Sequence, residues 1–185
     1  MKIKIGIMGS AADAPDSGNE SLSSKAADLG RATAAHDVAL LTGGTTGLVY
    51  IAGKAALDSG ATHVGISPAA TEREHVEKYG LPLDACSFII FTGFGLKGRN
   101  VVLVRSCDVV LFISGAMGSL NEFTIAHDEG KVIGCLSGTG GVADECESLT
   151  NRFSKQTGAR VLQHNDPVIL VEMCLQELVG TKKAS

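Results

Sequence analysis

The stretch that most constrains the fold is residues 98–122, GRNVVLVRSCDVVLFISGAMGSLNE. Its middle, Cys107–Ile113, is an apolar run rich in β-branched residues, which is typical of a central strand in a parallel sheet. A turn of small residues, Ser114–Ser119, follows at once and opens a helix that carries Glu122. A helical segment that carries Arg99 precedes the run. Helix, buried strand, tight turn and helix in this order predict one unit of an α/β fold.

The same alternation continues along the chain. Strand patterns are predicted at 3–8, 38–42, 62–67, 87–91, 108–113, 131–135 and 160–163. Helical patterns are predicted at 20–35, 47–59, around Arg99, around Glu122, within 142–160 and at 168–179, whereas 68–86 is interpreted as a loop or irregular segment. We therefore predict an α/β fold, a Rossmann-like doubly wound parallel sheet with helices on both faces. A single domain over residues 1–180 and a flexible tail at 181–185 are expected.

Composition and residue spacing exclude several classes of protein. A formal net charge of −4, without a basic cluster, argues against nucleic acid as a partner. No apolar run reaches the roughly 18 residues of a membrane span. The N-terminus enters a strand pattern rather than a signal peptide. The five cysteines form no CxxC pair and the five histidines show no HxxxH spacing, so neither a disulfide framework nor a metal site is predicted. A reducing cytoplasm is the expected compartment.

Three turns of small residues follow predicted strands and form the candidate ligand site. In doubly wound sheets ligands bind beyond the carboxyl ends of the strands, near the switch in strand order. Small residues let backbone N–H groups approach an anion at a helix N-terminus. The phosphate-binding candidates are Gly9, Ser10, Gly43, Gly44, Thr45, Thr46, Ser114, Gly115, Ala116, Met117, Gly118 and Ser119.

Two charged residues are the candidates for catalysis. The guanidinium of Arg99 suits phosphate or carboxylate, although an ordinary surface arginine is the simpler alternative. Glu122 could line the ligand site or act on a glycosidic bond, or it could be a solvated residue favoured by the helix dipole. Ser119 could offer its hydroxyl to a phosphate or cap its helix.

The polar segment after the first strand, residues 11–19, suits a lid. Asp13, Asp16 and nearby Glu20 could approach a ribose hydroxyl, although a solvated loop is the favoured interpretation.

Several of these segments together resemble one protein family. Arg99, Asp108 and SGAMGSLNE at 114–122 resemble, in type and spacing, the arginine, aspartate and PGGxGTxxE motif of the LOG family, once misnamed lysine decarboxylases. Upstream, LTGGTTGLVYIAGKAA at 41–56 resembles the family's GGGxxGLMGxxAxxA segment, and Gly9–Ser10 resembles its opening Gly-Ser. The resemblance covers roughly residues 3–135, with the segments in the same order, and it implies a Rossmann-like fold.

The departures from the family pattern point to one branch. Ser114, Ala116 and Ser119 stand where the family has Pro, Gly and Thr, and Asn100 stands where active LOG enzymes usually have Lys. The Arg99–Asn100 pair in a short chain most resembles the molybdenum-cofactor carrier proteins, which bind a pterin phosphate.

The resemblance implies a function and leaves alternatives open. The first is binding of a nucleotide monophosphate or a phosphorylated pterin such as molybdenum cofactor, with no resident cofactor required. The second is a phosphoribohydrolase that releases free base and ribose 5-phosphate, with Arg99 anchoring the substrate and Glu122 acting on the ribosyl carbon. A third is a nucleotide sensor without turnover. The resemblance also implies a homodimer or homotetramer, paired through helices near 48–56 and 99–104.

Overall fold

The computed structural model describes residues 1–11 and 22–184. Within that part of the chain seven β-strands alternate with seven helices. The strands are β1 (Ile3–Gly9), β2 (Val38–Thr42), β3 (Thr62–Ser67), β4 (Phe88–Phe91), β5 (Val109–Ile113), β6 (Val132–Leu136) and β7 (Arg160–His164). The helices are α1 (Leu22–Ala34), α2 (Gly47–Asp58), α3 (Glu72–Glu77), α4 (Gly95–Ser106), α5 (Met117–Asp128), α6 (Gly141–Arg152) and α7 (Pro167–Ala184).

The strands form one parallel sheet in the order β4-β3-β2-β1-β5-β6-β7. The chain builds outward from β1 to β4, then returns through α4 to place β5 on the other side of β1. The strand order therefore reverses between β1 and β5, whose carboxyl ends meet where Gly9 pairs with Ile113. The prediction of a doubly wound Rossmann-like sheet is confirmed.

Helices cover both faces of the sheet and enclose two apolar layers. On one face α1, α2 and α7 pack on side chains such as Ile5, Leu40 and Leu111. On the other face α4, α5 and α6 pack around Phe112, whose ring meets Phe123 edge-on at a centroid distance of 5.9 Å. All five residues of β5 are buried, as its apolar run predicted. Two closed layers hold the strand ends in fixed positions.

The helix boundaries differ from the predictions in three places. The segment 68–86, interpreted as irregular, contains the short helix α3, where Thr71 Oγ1 accepts from the Glu74 N–H and Glu74 accepts from the Ala70 N–H. This reciprocal capping offsets the marginal stability of so short a helix. Within 142–160 the helix ends at Arg152. The last helix continues to Ala184, through residues that the sequence analysis assigned to a tail.

No helix within residues 1–11 and 22–184 is long and apolar enough to cross a membrane.

Candidate functional site

A pocket of about 320 Å³ lies at the carboxyl ends of β1 and β2, beside the start of α5, where the strand order reverses. This is the position at which doubly wound sheets bind their ligands. Predicted site residues that line it are Gly9, Ser10, Gly43, Thr45, Arg99, Ala116, Gly118, Ser119 and Glu122. Its remaining lining residues are Ile7, Met8, Ala11, Val49, Leu96, Lys97 and Asn100.

Hydrogen bonds join the three turns around the pocket. The Ser119 hydroxyl donates to the Gly9 carbonyl over 3.2 Å. The Leu48 N–H donates to the Ser10 carbonyl over 3.0 Å, and the Thr46 hydroxyl donates to the Ala11 carbonyl over 2.7 Å. Ser119 does not cap α5, because the residue that precedes this helix is Ala116. The three turns therefore meet at one pocket, as the sequence predicted, and hydrogen bonds between them hold them together.

The turn at 114–119 owes its shape to Ser114 and Gly115. Both have positive φ, 52° and 103°, and a Cβ on Gly115 would lie 2.5 Å from the Ser119 Oγ. Their carbonyls accept from the Ala143 and Val142 N–H groups at the start of α6, each over 3.0 Å. Ala116 has an extended φ of −126°, so its methyl group is accommodated without strain.

Two helices begin at the pocket without side-chain caps. Thr46 precedes α2 and Ala116 precedes α5, and neither makes a side-chain capping hydrogen bond. The first N–H groups of a helix lack intrahelical partners and carry a partial positive charge. In α2 the Leu48 N–H already donates to the Ser10 carbonyl, and a bound anion would satisfy other N–H groups at the two helix starts and their partial charge.

Arg99 and Glu122 face each other inside the pocket. The Arg99 Nη1 lies 3.5 Å from the Glu122 Oε1, and the two residues are 5% and 7% exposed. The guanidinium rests against the backbone of Gly43, where a Cβ would lie 2.2 Å from Nη1. Its Nε is buried and has no hydrogen-bond partner among the described residues. An unsatisfied buried donor of this kind calls for an explanation, and a functional role is one of those that such groups have in native proteins.

Burial shifts the titration of this pair. It raises the pKa of Glu122 from its ordinary 4.5 to about 7, while the positive charges of Arg99 and Lys97 oppose the rise. Burial also lowers the pKa of Arg99, and Glu122 opposes that shift. The carboxyl group of Glu122 can therefore exchange a proton near neutral pH, which suits either an anionic ligand or proton transfer.

Asn100 and Lys97 complete the polar wall and were not among the predicted site residues. With its side-chain nitrogen toward Glu122, the buried Asn100 amide donates to Glu122 Oε1 over 3.1 Å and to the Leu96 carbonyl over 3.0 Å. Lys97 lines the pocket and its charge reaches Glu122. The sequence did contain one signal for Asn100, because this residue departs from the LOG pattern directly after the predicted site residue Arg99.

The other predicted phosphate-binding residues do not line the pocket. Gly44 donates its N–H to the Thr42 hydroxyl, and Thr46 bonds to Ala11. Ser114 and Gly115 direct their carbonyls to α6, and the Met117 side chain is 74% exposed.

Other motif residues lie apart from the pocket. Asp108 lies before the amino end of β5, at the opposite edge of the sheet, and pairs with Lys4 over 2.7 Å. Asp13, Asp16 and Glu20, and the lid expected at 11–19 from Ala12 onward, lie outside the described residues.

The parallel sheet, the strand order and the pocket at the switch point define a Rossmann-like protein, and the family match places it in the LOG-like superfamily. The chain belongs to the SLOG cluster4 family, whose family model matches residues 2–171. The resemblance drawn from the motifs is confirmed.

Solved structures place the chain near the carrier branch of that superfamily. The molybdenum cofactor carrier protein from Chlamydomonas reinhardtii is 27% identical, with 97% of this chain and 99% of that chain covered and a TM-score of 0.74. The molybdenum cofactor binding protein from Rippkaea orientalis is 25% identical, with 97% and 98% covered and a TM-score of 0.77. An uncharacterized Archaeoglobus fulgidus protein is 32% identical over 97 residues, 52% of this chain, and the match spans only 58% of that relative's length.

Proposed function

We propose that this protein binds a phosphorylated, nucleotide-like ligand in the switch-point pocket, and that the ligand class is a phosphorylated pterin such as molybdenum cofactor. The likeness to two molybdenum cofactor binding proteins over nearly the whole chain supports the pterin. The ligand is cargo in this proposal, so the fold requires no resident cofactor.

The observation that carries the proposal is the buried Arg99. Its Nε–H lacks a partner among the described residues, and its guanidinium is fixed against Gly43. The uncapped starts of α2 and α5 supply further donors at the same pocket. A phosphate group offers acceptors to all of these at once, which no apolar ligand does.

Calorimetric titration with molybdopterin and with a panel of nucleoside 5′-monophosphates tests the proposal. Arg99→Gln should weaken binding of the true ligand by more than tenfold, because a buried charge-assisted hydrogen bond contributes about 1.5–3 kcal/mol. Arg105→Gln is the matched control, since Arg105 lies on the same helix but is exposed and pairs with Glu129. Equal losses in both variants, or no binding by the native protein, would contradict the proposal.

A phosphoribohydrolase is the second candidate function, and the Arg99–Glu122 pair favours it. A carboxyl group that titrates near pH 7 inside a phosphate-binding pocket can stabilise an oxocarbenium-like centre or activate water. Release of free base from nucleoside 5′-monophosphates measures this activity directly. Release that disappears in Glu122→Gln would establish the enzyme, whereas binding without release would leave a carrier or a sensor. Pterin fluorescence that co-purifies with the protein would then distinguish a carrier from a sensor.

We also propose that the protein forms a homodimer or homotetramer through the α4 side of the sheet. Phe88, Ile90, Phe94 and Val101 are each more than two-fifths exposed, although all are large and apolar. Phe88 and Ile90 pair with Val64 and Ile66, which pack in the α4 layer, so all four side chains belong to one side of the molecule. In contrast, α2, the other helix implied by the resemblance, contributes none of the large exposed apolar side chains. Exposed clusters of this kind mark protein interfaces.

Analytical ultracentrifugation tests this interface. Phe94→Asp should shift the protein toward the monomer. Phe153→Asp should not, although Phe153 is equally large and 70% exposed, because it follows α6, which contacts β5, β6 and β7 rather than the β1 and β3 strands that α4 contacts. A native protein that is monomeric at micromolar concentration would contradict the proposed oligomer.

The cytoplasm remains the proposed compartment. All five cysteines are free thiols, which is consistent with a reducing environment.

A further inference from the structure

A chain of hydrogen bonds fixes the turn that follows β2. The Gly44 N–H donates to the Thr42 Oγ1 over 3.1 Å, and that hydroxyl lies 2.8 Å from the His63 Nε2. The other ring nitrogen, Nδ1, contacts the Ala85 carbonyl. A carbonyl can only accept, so Nδ1 carries the ring proton, Nε2 is the acceptor and the Thr42 hydroxyl donates to it. Thr42 and His63 are each 1% exposed, and burial lowers the pKa of His63, which keeps the ring neutral.

The same arrangement recurs at the end of β3. The Ala69 N–H donates to the Ser67 Oγ over 3.0 Å, and that hydroxyl lies 2.8 Å from the His75 Nδ1. The His75 Nε2 lies 3.0 Å from the Pro82 carbonyl, so the hydroxyl again donates to the unprotonated nitrogen. In both cases a strand ends in a hydroxyl residue whose only proton is directed to a buried histidine. The hydroxyl oxygen is thereby left to accept a backbone N–H two residues later.

The first of these chains leads to the pocket. Gly44 adopts a left-handed φ of 59°, which the N–H bond to Thr42 holds in place. The adjacent Gly43 forms the surface on which the Arg99 guanidinium rests, with no room for a Cβ between them. A change in the turn would therefore move the support of the residue that carries the proposed ligand contact.

We propose that His63 is a positioning residue for the ligand site: it orients the Thr42 hydroxyl, which holds the Gly43–Gly44 turn against Arg99. His63 does not line the pocket; its Nε2 lies 2.8 Å from the Thr42 hydroxyl and 3.9 Å from the Cys86 thiol, so Thr42 is its hydrogen-bonded link to the turn. The part of this inference that concerns ligand affinity rests on the function proposed above, whereas the part that concerns the turn does not.

Amide hydrogen exchange measured by NMR tests the turn without any ligand. His63→Leu should accelerate exchange of the Gly44 N–H by about tenfold, the effect of one lost hydrogen bond, and leave the Ala69 N–H unchanged. Ser67→Ala is the matched control and should do the reverse, because it removes the hydroxyl that accepts from the Ala69 N–H. Thr42→Val should match His63→Leu, while Thr42→Ser should retain native exchange. Unchanged protection of Gly44 in His63→Leu would overturn the proposal, because Thr42 would then hold the turn alone.

Two further measurements cover the remaining outcomes. If His63→Leu does not fold, the ¹⁵N chemical shifts of the His63 ring in the native protein test the same proposal. An unprotonated Nε2 supports the chain of hydrogen bonds, and a protonated Nε2 overturns it. For function, Thr42→Val should weaken binding of adenosine monophosphate several-fold and Thr42→Ser should not. If adenosine monophosphate does not bind the native protein, that ligand is excluded, and the exchange data still judge the role of His63.

Discussion

Replacing Glu122 with Gln should change how the stability of the protein depends on pH. The pKa of Glu122 is raised from 4.5 to about 7 in the folded state, because burial penalises the carboxylate more than Arg99 and Lys97 favour it. The folded state therefore holds a proton that the unfolded chain has lost between these two pH values. The contribution of protonated Glu122 to the free energy of unfolding is fully present below pH 4.5 and is lost as the pH rises to 7. The loss is about 3 kcal/mol in total, at about 1.4 kcal/mol per pH unit.

Urea unfolding of both proteins at pH 5.5 and pH 8 measures this effect. The variant cancels the contribution of every other titrating group, so only the Glu122 contribution remains in the difference. We expect the stability of Glu122→Gln relative to the native protein to rise by about 2 kcal/mol between pH 5.5 and pH 8, because over that range the native protein loses about 1.4 kcal/mol per pH unit up to pH 7. A difference between the two proteins that does not change with pH would refute the reasoning, since Glu122 would then have an ordinary pKa.

Three other perturbations test the packing described above. Gly43→Ala should weaken ligand binding by at least tenfold while the far-ultraviolet spectrum stays native, because the added Cβ would displace the Arg99 guanidinium; unchanged affinity would show that Arg99 is not held there. Phe112→Ala should lower the free energy of unfolding by about 3–5 kcal/mol, as expected for a fully buried ring; a loss below about 1 kcal/mol would contradict the packing. Burial raises the pKa of the Cys86 thiol to about 11 and that of Cys107 to about 12, so both should react with a disulfide reagent at pH 8 far more slowly than in urea. Equal rates in the native and unfolded states would contradict their burial.

The strands could be predicted because a few consecutive apolar residues are enough to indicate a buried strand. The run at 109–113 is buried on both faces, and such runs need no partner to be recognised. Local patterns do not give the order of the strands, because that order depends on which side of β1 the chain returns to after α4. Helix α3 was missed although Thr71 and Glu74 have the spacing of a capping box, since six residues are too few to show helical periodicity.

The site was predictable only where a motif carried it. Arg99, Glu122 and the turns came from residue types at a family spacing, and nine of those residues line one pocket. His63 has no such signal: it is a lone histidine in a strand, and its partners Thr42 and Ala85 lie 21 and 22 residues away. Lys97 was missed for a related reason. Residues two positions apart on a helix do not face each other, so the spacing of Lys97 and Arg99 does not indicate that both line the same cavity.

The neighbours of Glu122 suggest how the pocket accepts an anion. With its nitrogen toward Glu122, Asn100 offers this residue an uncharged amide, and Arg99 and Lys97 supply the positive charges that act on it. Because burial raises the pKa of Glu122 to about 7, this side chain is partly protonated near neutral pH, and a bound phosphate would raise the protonated fraction by repelling the carboxylate. Binding should therefore take up protons, about half a proton at pH 7 and almost none at pH 5.5, and affinity should fall up to tenfold per pH unit above 7. Calorimetry in two buffers of different ionisation enthalpy measures the uptake, and Glu122→Gln is the control that retains only the proton change of the ligand phosphate itself. Binding without proton uptake at pH 7 would mean that the carboxylate remains ionised beside the ligand, which is the charge state that a hydrolytic role for Glu122 requires.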